Sequence, residues 1–297
     1  MLAESFALDA DRDQRLTGSP RESSIGAILI RLGLLSAADA DTVARLSIER
    51  NLSFGDAAVE MGVLTAADVQ LALSRQYGYP YLLRGESAIS DEVTAAYEPF
   101  TSKVESLRAL RNQLMSRWFE TGKEHRALAI TSPESGDGRS YLAANLAVVF
   151  SQQHQRTLLI DADMRAPRQH HLFGLENRAG LSAVLAGRRG QDAIQRLPSL
   201  ADLSVLTAGA LAPNPSELLG RPAFGQLLGE LAANYDVILI DTPASDEYAD
   251  AQLVASRAGA AVLVAHQDHS HVVRLRELSR LLRDARVHLV GTVLNEY

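Results

Sequence analysis

Short apolar runs alternate with amphipathic segments along the last two-thirds of the chain. Each run has the length of a buried strand, and the segments between them have the apolar spacing of helices. The predicted strands are Ala127–Thr131, Thr157–Asp161, Leu203–Leu206, Val237–Asp241, Ala260–His266 and His288–Leu294, and the main predicted helices are Ser140–Gln153, Pro215–Ala233 and Val272–Asp284. This alternation predicts an α/β fold whose mostly parallel sheet is covered by helices on both faces.

The first part of the chain contains an internal repeat. The segment from Gly26 to Asp39 returns from Gly55 to Asp68, with an offset of 29 residues. In each copy a glycine suited to a left-handed helix end, Gly33 or Gly62, separates two short helical patterns, and a serine or threonine N-caps the second one. The repeat predicts two helical hairpins that pack together as a small all-α domain.

Changes in these patterns divide the chain into four parts. Residues 1–23 mix acids with scattered arginines, and we expect them to form a disordered tail. The helical domain covers residues 24–83, a polar linker covers residues 84–103, and the α/β domain covers residues 104–297. The length of the chain suits one large domain behind one small module.

Composition and charge exclude several classes of function. The chain has no cysteine, which excludes disulfides, zinc–thiolate sites and cysteine nucleophiles. Its formal net charge of −7 gives no general attraction to nucleic acid, so nucleic acid is not an expected partner. The longest apolar run near the end, Ala258–Ala265, is too short to cross a bilayer, so no direct membrane span is predicted.

A glycine-containing loop follows the first predicted strand and precedes a helix. Its candidate phosphate-binding residues are Ser135, Gly136, Asp137, Gly138, Arg139, Ser140 and Tyr141. Small residues let backbone N–H groups wrap an anion, and the helix N-terminus adds its dipole. Ser140 stands where the hydroxyl of a P-loop would ligate Mg²⁺. Taken alone, the loop is equally compatible with an ordinary glycine turn.

Acidic residues stand at the ends of two other buried strands. Asp161 and Asp163 end one strand, and Asp241 ends another. Ligands of α/β proteins bind at the carboxyl ends of parallel strands, so these carboxylates are expected to meet near the glycine loop. A single such aspartate would be read more simply as a cap for the following loop, but three sites in this setting favour a nucleotide site.

These segments resemble the bacterial tyrosine kinases of exopolysaccharide biosynthesis, which are related to the MinD/ParA ATPases, and in particular the EpsG-type chain-length-determinant kinases. The resemblance covers residues 104–297. The matching segments are Arg139-Ser140 in Walker A, LLIDADMR at 158–165 in Walker A′, ILIDTPA at 238–244 in Walker B, the segment 211–219, and Gly291–Asn295 in the last strand.

The resemblance implies an ATP-binding protein-tyrosine autokinase that uses Mg²⁺. Asp161 would orient or deprotonate the acceptor hydroxyl, and Asp163 and Asp241 would hold Mg²⁺ together with Ser140. Arg139 would contribute to catalysis, and Asn295 would contribute to nucleotide binding. The family has lysine where this chain has Arg139, which is larger and planar, and Tyr141 is bulkier than expected at its position.

One helix is a candidate for self-association. Glu105, Arg108 and Arg111 match the helix through which the family forms rings, so the resemblance implies a homo-oligomeric ring. The same spacing also describes a plain surface helix with i,i+3 ion pairs.

The resemblance also implies partners and a location. A separate transmembrane chain-length-determinant protein of the Wzz type would recruit the chain from the cytoplasm to the inner face of the plasma membrane. The tyrosine-rich tail of the family is absent, which leaves Tyr297 as the candidate phosphoacceptor, immediately after a strand and with little slack.

The helical domain resembles the N-terminal domain of type II secretion ATPases, some of which bind cyclic di-GMP. Ser24 and Ser53 stand where arginines are expected in the binders, so the best donors for guanine and phosphate are missing. We therefore expect a protein-interaction role rather than cyclic di-GMP binding.

Other functions and sites remain open. The main alternative to a kinase is a catalytically weakened nucleotide-gated switch or scaffold without a tyrosine product, a reading motivated by Arg139 and the missing tail. Another is a structural adaptor with a vestigial loop. His266, His269 and His271 lie close together, and their spacing favours solvated or capping histidines over a metal site.

Overall fold

The computed structural model describes residues 24–76, 81–82, 84–85, 87–122, 124–246 and 248–296. The chain divides after Tyr81 into two units. The predicted tail over residues 1–23 and the candidate phosphoacceptor Tyr297 lie outside the described residues.

The first unit contains the two predicted helical hairpins. Its helices are α1 (Ile25–Arg31), α2 (Ala37–Arg50), α3 (Phe54–Glu60) and α4 (Ala66–Gln76). Gly33 and Gly62 have positive φ angles of 70° and 69°, as a left-handed helix end requires. Ser24 and Ser53 stand where the cyclic di-GMP binders are expected to have arginine. In this chain they N-cap α1 and α3. The buried core of this unit is formed by Ile28, Leu29, Leu35, Val43, Ala57, Ala58, Leu64 and Ala72.

The second unit alternates strands and helices. Its first helices are α5 (Thr94–Tyr97) and α6 (Ser102–Leu114), and α6 continues into a π-helical turn (Met115–Phe119). The other helical elements are α7 (Arg139–Ser151), α8 (Gln169–Leu172), α9 (Leu181–Leu185), a 3₁₀ turn (Gln191–Ala193), α10 (Pro215–Gly220), α11 (Pro222–Leu231), α12 (Asp250–Ala258) and α13 (Val272–Asp284). The strands are β1 (Ala127–Thr131), β2 (Thr157–Asp161), β3 (Gln195–Arg196), β4 (Leu203–Leu206), β5 (Val237–Asp241), β6 (Ala260–His266) and β7 (His288–Asn295).

The strands form one sheet in the order β3-β4-β2-β5-β1-β6-β7. All neighbours are parallel except β3, which pairs antiparallel with β4 at the edge. Hydrophobic clusters cover both faces of the sheet. Helix α7 lies deep in this packing, and eleven of its thirteen residues are buried. The predicted α/β fold with a mostly parallel sheet is therefore confirmed.

Two details of the predicted elements are wrong. The segment Pro215–Ala233 was expected to be one helix, but Arg221 is extended (φ −63°, ψ 147°) and separates α10 from α11. Proline disfavours the helical conformation in the residue before it, so Pro222 begins a new helix instead of continuing the old one. Strand β3 was not predicted, because two residues are too few to show an alternating pattern.

The segment before α6 is not the polar linker expected over residues 84–103. Residues 87–101, here called the connecting segment, bury Ile89, Val93, Ala95 and Ala96 in the core of the second unit. Two polar side chains bind its backbone. Asn145 of α7 accepts the N–H of Ala95 through Oδ1 at 2.9 Å, and Gln152, which immediately follows α7, donates through Nε2 to the carbonyl of Ala95 at 2.9 Å. The apolar residues are too widely spaced among polar ones to reveal this packing in the sequence.

Among the described residues, no helix combines the length and the apolar character needed to cross a membrane.

Replacing Asn145 tests how the connecting segment is held. Asn145 also donates to the carbonyl of Glu92 at 3.1 Å, so Asn145→Ala removes the partner of the buried N–H of Ala95 and of the Glu92 carbonyl. We expect the free energy of unfolding to fall by about 2 kcal/mol or more, measured by urea denaturation. The exposed Asn234→Ala is the matched control and should change it by less than about 0.5 kcal/mol. Equal effects of the two substitutions would contradict the described packing.

Candidate functional site

The glycine-containing loop between β1 and α7 has the backbone geometry of an anion-binding turn. Gly136 and Gly138 have φ angles of 89° and 91°, a region that favours glycine. Helix α7 begins at Arg139, so its N-terminus ends the loop. The loop therefore directs the positive end of a buried helix dipole toward the carboxyl edge of the sheet.

Side chains from β7 and from the turn after β6 hold this loop in place. Asn295 Nδ2 donates to the carbonyl of Asp137 at 2.7 Å. The Asp137 carboxylate accepts the N–H of Glu134 at 2.9 Å and the hydroxyl of Ser270. A ring nitrogen of His269 lies 3.1 Å from the carbonyl oxygen of Ser135. The side chains of Asp137 and Asn295 thus form hydrogen bonds that hold the loop between β1 and α7 in its conformation.

The carboxylate of Glu134 contacts two side chains at the start of α13, those of His271 and Arg274. His271 Nδ1 lies 2.8 Å from its carboxylate, and Arg274 Nη1 lies 2.9 Å from the same oxygen. His269 and His271, which follow β6, therefore both contact the loop between β1 and α7.

Arg139, at the position of the usual P-loop lysine, is bound by the protein itself. Its Nε donates to the carbonyl of Thr242 at 2.9 Å, and its Nη1 donates to the carbonyl of Glu134 at 2.6 Å and to the hydroxyl of Ser132. Only 8% of the residue is exposed. To reach a phosphate, the guanidinium would have to leave these three acceptors.

Asp161 is fully buried at the end of β2, beside Asp241 at the end of β5 in the strand register. Its Oδ1 accepts the N–H of Asp163 at 3.1 Å, and its Oδ2 accepts the N–H groups of Arg168 and Gln169 at 3.1 and 3.0 Å. Burial and the neighbouring charge of Asp241 raise the pKa of Asp161 well above its usual value.

Asp241 has one satisfied oxygen and one unsatisfied oxygen. Its Oδ2 accepts from Gln169 Nε2 at 2.7 Å, whereas its buried Oδ1 has no hydrogen-bond partner among the described residues. Burial raises the pKa of Asp241 to about 6, although the hydrogen bond from Gln169 and the nearby hydroxyl of Ser140 act in the opposite direction. A buried carboxylate oxygen without a partner, beside a hydroxyl and a second carboxylate, fits a hard cation such as Mg²⁺.

Asp163 lies at the same edge, and its carboxylate supports the next turn. Its Oδ1 accepts the N–H groups of Arg165 and Ala166 at 3.1 and 2.8 Å. The side chain of Arg165 is occupied elsewhere, because its Nε donates to Asp250 at 2.7 Å. It also lies over the ring of Tyr248, 3.4 Å from the centroid.

Tyr141 contacts the connecting segment. Its hydroxyl lies 2.8 Å from Thr94 Oγ1, and Lys103 Nζ lies 4.8 Å from its ring centroid. Tyr141 thus links the first turn of α7 to the connecting segment.

The three residues expected at a ring interface differ in their surroundings. Glu105 and Arg108 form an i,i+3 ion pair on α6, as the alternative interpretation of this helix expects. Arg111 is 4% exposed, and its Nη1 donates to the carbonyl of Val149 at 2.9 Å. Arg111 therefore binds α6 to α7. Of the three residues expected at a ring interface, Glu105 and Arg108 are the more exposed ones.

Sequence reasoning missed Gln169. This fully buried residue donates through Nε2 to Asp241 and also to the carbonyl of Ser140 at 3.1 Å, so it ties the two acidic strand ends to the first turn of α7. It lies eight positions after Asp161 in a short helix and belongs to no motif. No signal in a single sequence distinguishes it from a surface glutamine.

Comparisons with known proteins agree with this geometry. Residues 128–297 match the family described as the CobQ/CobB/MinD/ParA nucleotide binding domain. The putative tyrosine-protein kinase CapB of Staphylococcus aureus is 36% identical over 199 residues, which cover 67% of this chain and 86% of CapB. This chain belongs to the bacterial tyrosine kinases.

Solved structures show the same relationship. The kinase domain of Escherichia coli tyrosine kinase ETK is 34% identical, with a TM-score of 0.65, and the match covers 69% of this chain and 79% of that one. The septum site-determining protein MinD of Pyrococcus horikoshii OT3, solved with Mg-ADP, is 25% identical with a TM-score of 0.52, and the match covers 58% of this chain and 70% of MinD. The family therefore shares the P-loop fold seen here.

The raised pKa values predict a specific pH dependence. Asp241 holds its proton in the folded protein to about pH 6, whereas the unfolded chain releases it near the usual value of 3.8. Its protonation therefore stabilises the fold fully at low pH, and this stability is lost as the pH rises through about 6. The loss is roughly 3 kcal/mol for the two or so pKa units involved.

Asp241→Asn removes this titration. Between pH 4 and 8 in EDTA, we expect the free energy of unfolding to fall less in Asp241→Asn than in the wild type. The difference between the two falls should be roughly 3 kcal/mol over this range. Urea titrations at a series of pH values measure the slope. The exposed Asp284→Asn should keep the wild-type slope, and an unchanged slope in Asp241→Asn would show that the buried pair does not titrate in this way.

Proposed function

We propose that this chain is an ATP-dependent protein-tyrosine autokinase that regulates the length and export of an extracellular polysaccharide. The observation that carries the proposal is the convergence of two buried aspartates, Asp161 and Asp241, on the Ser140 turn at the N-terminus of α7. Family membership supports the reaction type, and the resemblance to EpsG-type kinases supports the pathway.

The proposed nucleotide site uses the loop backbone and the acids together. The N–H groups of residues 135–140 would bind the phosphates of ATP. Ser140, Asp163 and Asp241 would hold Mg²⁺, which neutralises charge on the β- and γ-phosphates when bound. The unsatisfied oxygen of Asp241 supports this assignment. Asn295 would position the loop through the carbonyl of Asp137.

Asp161 is proposed as the proton acceptor. The tyrosine hydroxyl attacks the γ-phosphorus, its proton passes to a carboxylate oxygen of Asp161, and the bond to the β-phosphate oxygen breaks to release ADP. The raised pKa of Asp161 supports this role, because a carboxylate with a higher pKa is a stronger base. Three backbone N–H groups, those of Asp163, Arg168 and Gln169, fix the orientation of the carboxylate.

The proposed partners follow from the family. A transmembrane chain-length-determinant protein of the Wzz type would recruit the chain to the inner face of the plasma membrane, and the chain would form a ring. Glu105 and Arg108 would face the neighbouring protomer, while Arg111 supports their helix from inside. Tyr297 remains the proposed phosphoacceptor, and cyclic di-GMP is not a proposed ligand.

Phosphotyrosine on the purified chain tests the proposal. After incubation with Mg-ATP and the cytoplasmic tail of a chain-length-determinant protein, mass spectrometry should detect phosphotyrosine on the wild type. Asp161→Asn should lower its rate of formation by about 100-fold or more, because the proton acceptor is lost. Asp284→Asn, an equal change at an exposed site, should retain the wild-type rate. Bound Mg-ATP without any phosphotyrosine would reject the kinase.

A second candidate function is a nucleotide-gated switch without a tyrosine product. The binding of Arg139 to Thr242, Glu134 and Ser132 favours it, because this cation is held away from a phosphate. Such a protein would bind Mg-nucleotide and change its partners without fast transfer.

Arg139→Lys separates these candidates. The single ammonium of lysine cannot satisfy all three acceptors in the forked geometry of arginine, so it is freer to reach the β- and γ-phosphates. We expect phosphoryl transfer to rise by about 10-fold or more, measured as the initial rate of γ-phosphate transfer. Arg280→Lys on the exposed face of α13 is the control. Fast transfer in the wild type with no gain in Arg139→Lys would reject the second candidate.

A further inference from the structure

A cleft of about 590 Å³ lies between the segment 178–189 and the segment 210–221. Four arginines line it, namely Arg178, Arg188, Arg189 and Arg221, against one acid, Glu217. We call this feature the arginine cleft. Its positive charge is local, since the chain as a whole carries a formal charge of −7. A concave surface of one sign attracts ligands of the other sign.

The arginines of this cleft are largely uncompensated. Arg189 pairs with Asp192 at 3.1 Å, and both side chains are more than half exposed, so the pair contributes little. In the part of the chain that the structure describes, the side chains of Arg178, Arg188 and Arg221 form no ion pair. Like charges held around one cleft repel each other, and an anion bound between them relieves that repulsion.

The walls of the cleft are held together by close backbone contacts. A Cβ atom on Gly180 would lie 2.2 Å from the carbonyl oxygen of Thr207, so only glycine fits there. The N–H of Ser182 donates to the carbonyl of Ala208 at 2.9 Å, and its hydroxyl donates to the carbonyl of Ala210 at 2.8 Å. The cleft is therefore preformed, which lowers the entropic cost of binding.

Hydrogen bonds connect α10, which forms part of one wall of the arginine cleft, to the acids of the candidate site. Ser216 lies in the α10 segment that forms one wall, and its hydroxyl donates to Asp250. Arg165 contacts both of these residues, at 3.2 Å from Ser216 Oγ and 2.7 Å from Asp250 Oδ2. The N–H of Arg165 in turn donates to Asp163. A continuous set of contacts thus joins the cleft to the acids.

We propose that the arginine cleft binds an acidic polypeptide segment, and that this segment belongs to the protein substrate of the kinase. The lining of the cleft includes small residues such as Ala183 and Ala186, which allow a peptide backbone to approach closely, and Leu211, 78% exposed, offers an apolar contact. Carboxylates of the segment would pair with the guanidinium groups in the forked geometry that arginine favours. The role of this segment as a kinase substrate rests on the proposed function, but its binding does not.

Binding of a labelled peptide tests the proposal without any catalysis. The probe is a fluorescein-labelled peptide with one tyrosine flanked by glutamates, titrated with the full chain and followed by fluorescence anisotropy. We expect saturable binding that weakens as salt rises. Arg188→Glu/Arg221→Glu should weaken it by about 10-fold or more, because two attractive charges become repulsive.

A matched double variant controls for net charge. Arg276→Glu/Arg280→Glu makes the same charge change on the exposed surface of α13, and it should keep peptide binding within about 2-fold of the wild type. Stabilisation by Mg-ATP in a melting scan should be equal in both double variants, so that a failure of the nucleotide site is seen separately.

Three results would overturn the proposal. The first is equal loss of peptide binding in the two double variants, and the second is binding of a lysine-flanked peptide as tight as that of the glutamate-flanked peptide. The third is tighter binding, sensitive to the Arg188→Glu/Arg221→Glu change, of a single-stranded oligonucleotide or of phosphatidylserine vesicles, which would assign the cleft to another class of anion.

Discussion

Two carboxylates buried side by side on neighbouring strands are the constraint on which this site depends. Asp161 and Asp241 are partners in the register of β2 and β5, and both are removed from water. Burying two like charges is costly, so a proton or a cation must reduce the charge in every state of the site. The backbone N–H groups after β2 and the amide of Gln169 lower this cost without cancelling it. A strand edge arranged in this way favours the arrival of a metal-bound phosphate.

The position of this pair was predictable because it depends on topology alone. Apolar runs marked the strands, and parallel strands bring their carboxyl ends to one edge, so acids at those ends had to meet. Five of the six predicted strands have their observed limits, and β7 is one residue longer than expected. The loop geometry was equally predictable, since glycines at positions 136 and 138 permit the positive φ angles that the turn adopts.

Side-chain direction was not predictable. The sequence places a cation at position 139, but the acceptors that hold it come from Thr242 and from residues 132 and 134 of the loop, and only the folded chain brings them together. Gln169 is a similar case. The linker prediction for residues 84–103 is wrong because the connecting segment is bound through its backbone groups, which pair with Asn145 of α7 and with Gln152 just after it.

The burial of α7 has a consequence for how the protein can respond to a nucleotide. A helix packed on nearly all sides cannot slide or tilt without opening voids in the core around it. Its first turn therefore acts as a fixed platform, and adaptation to a ligand falls to groups that swing on their own bonds, such as the Arg139 guanidinium. Rearrangements of that size take far less time than the displacement of a whole helix or domain.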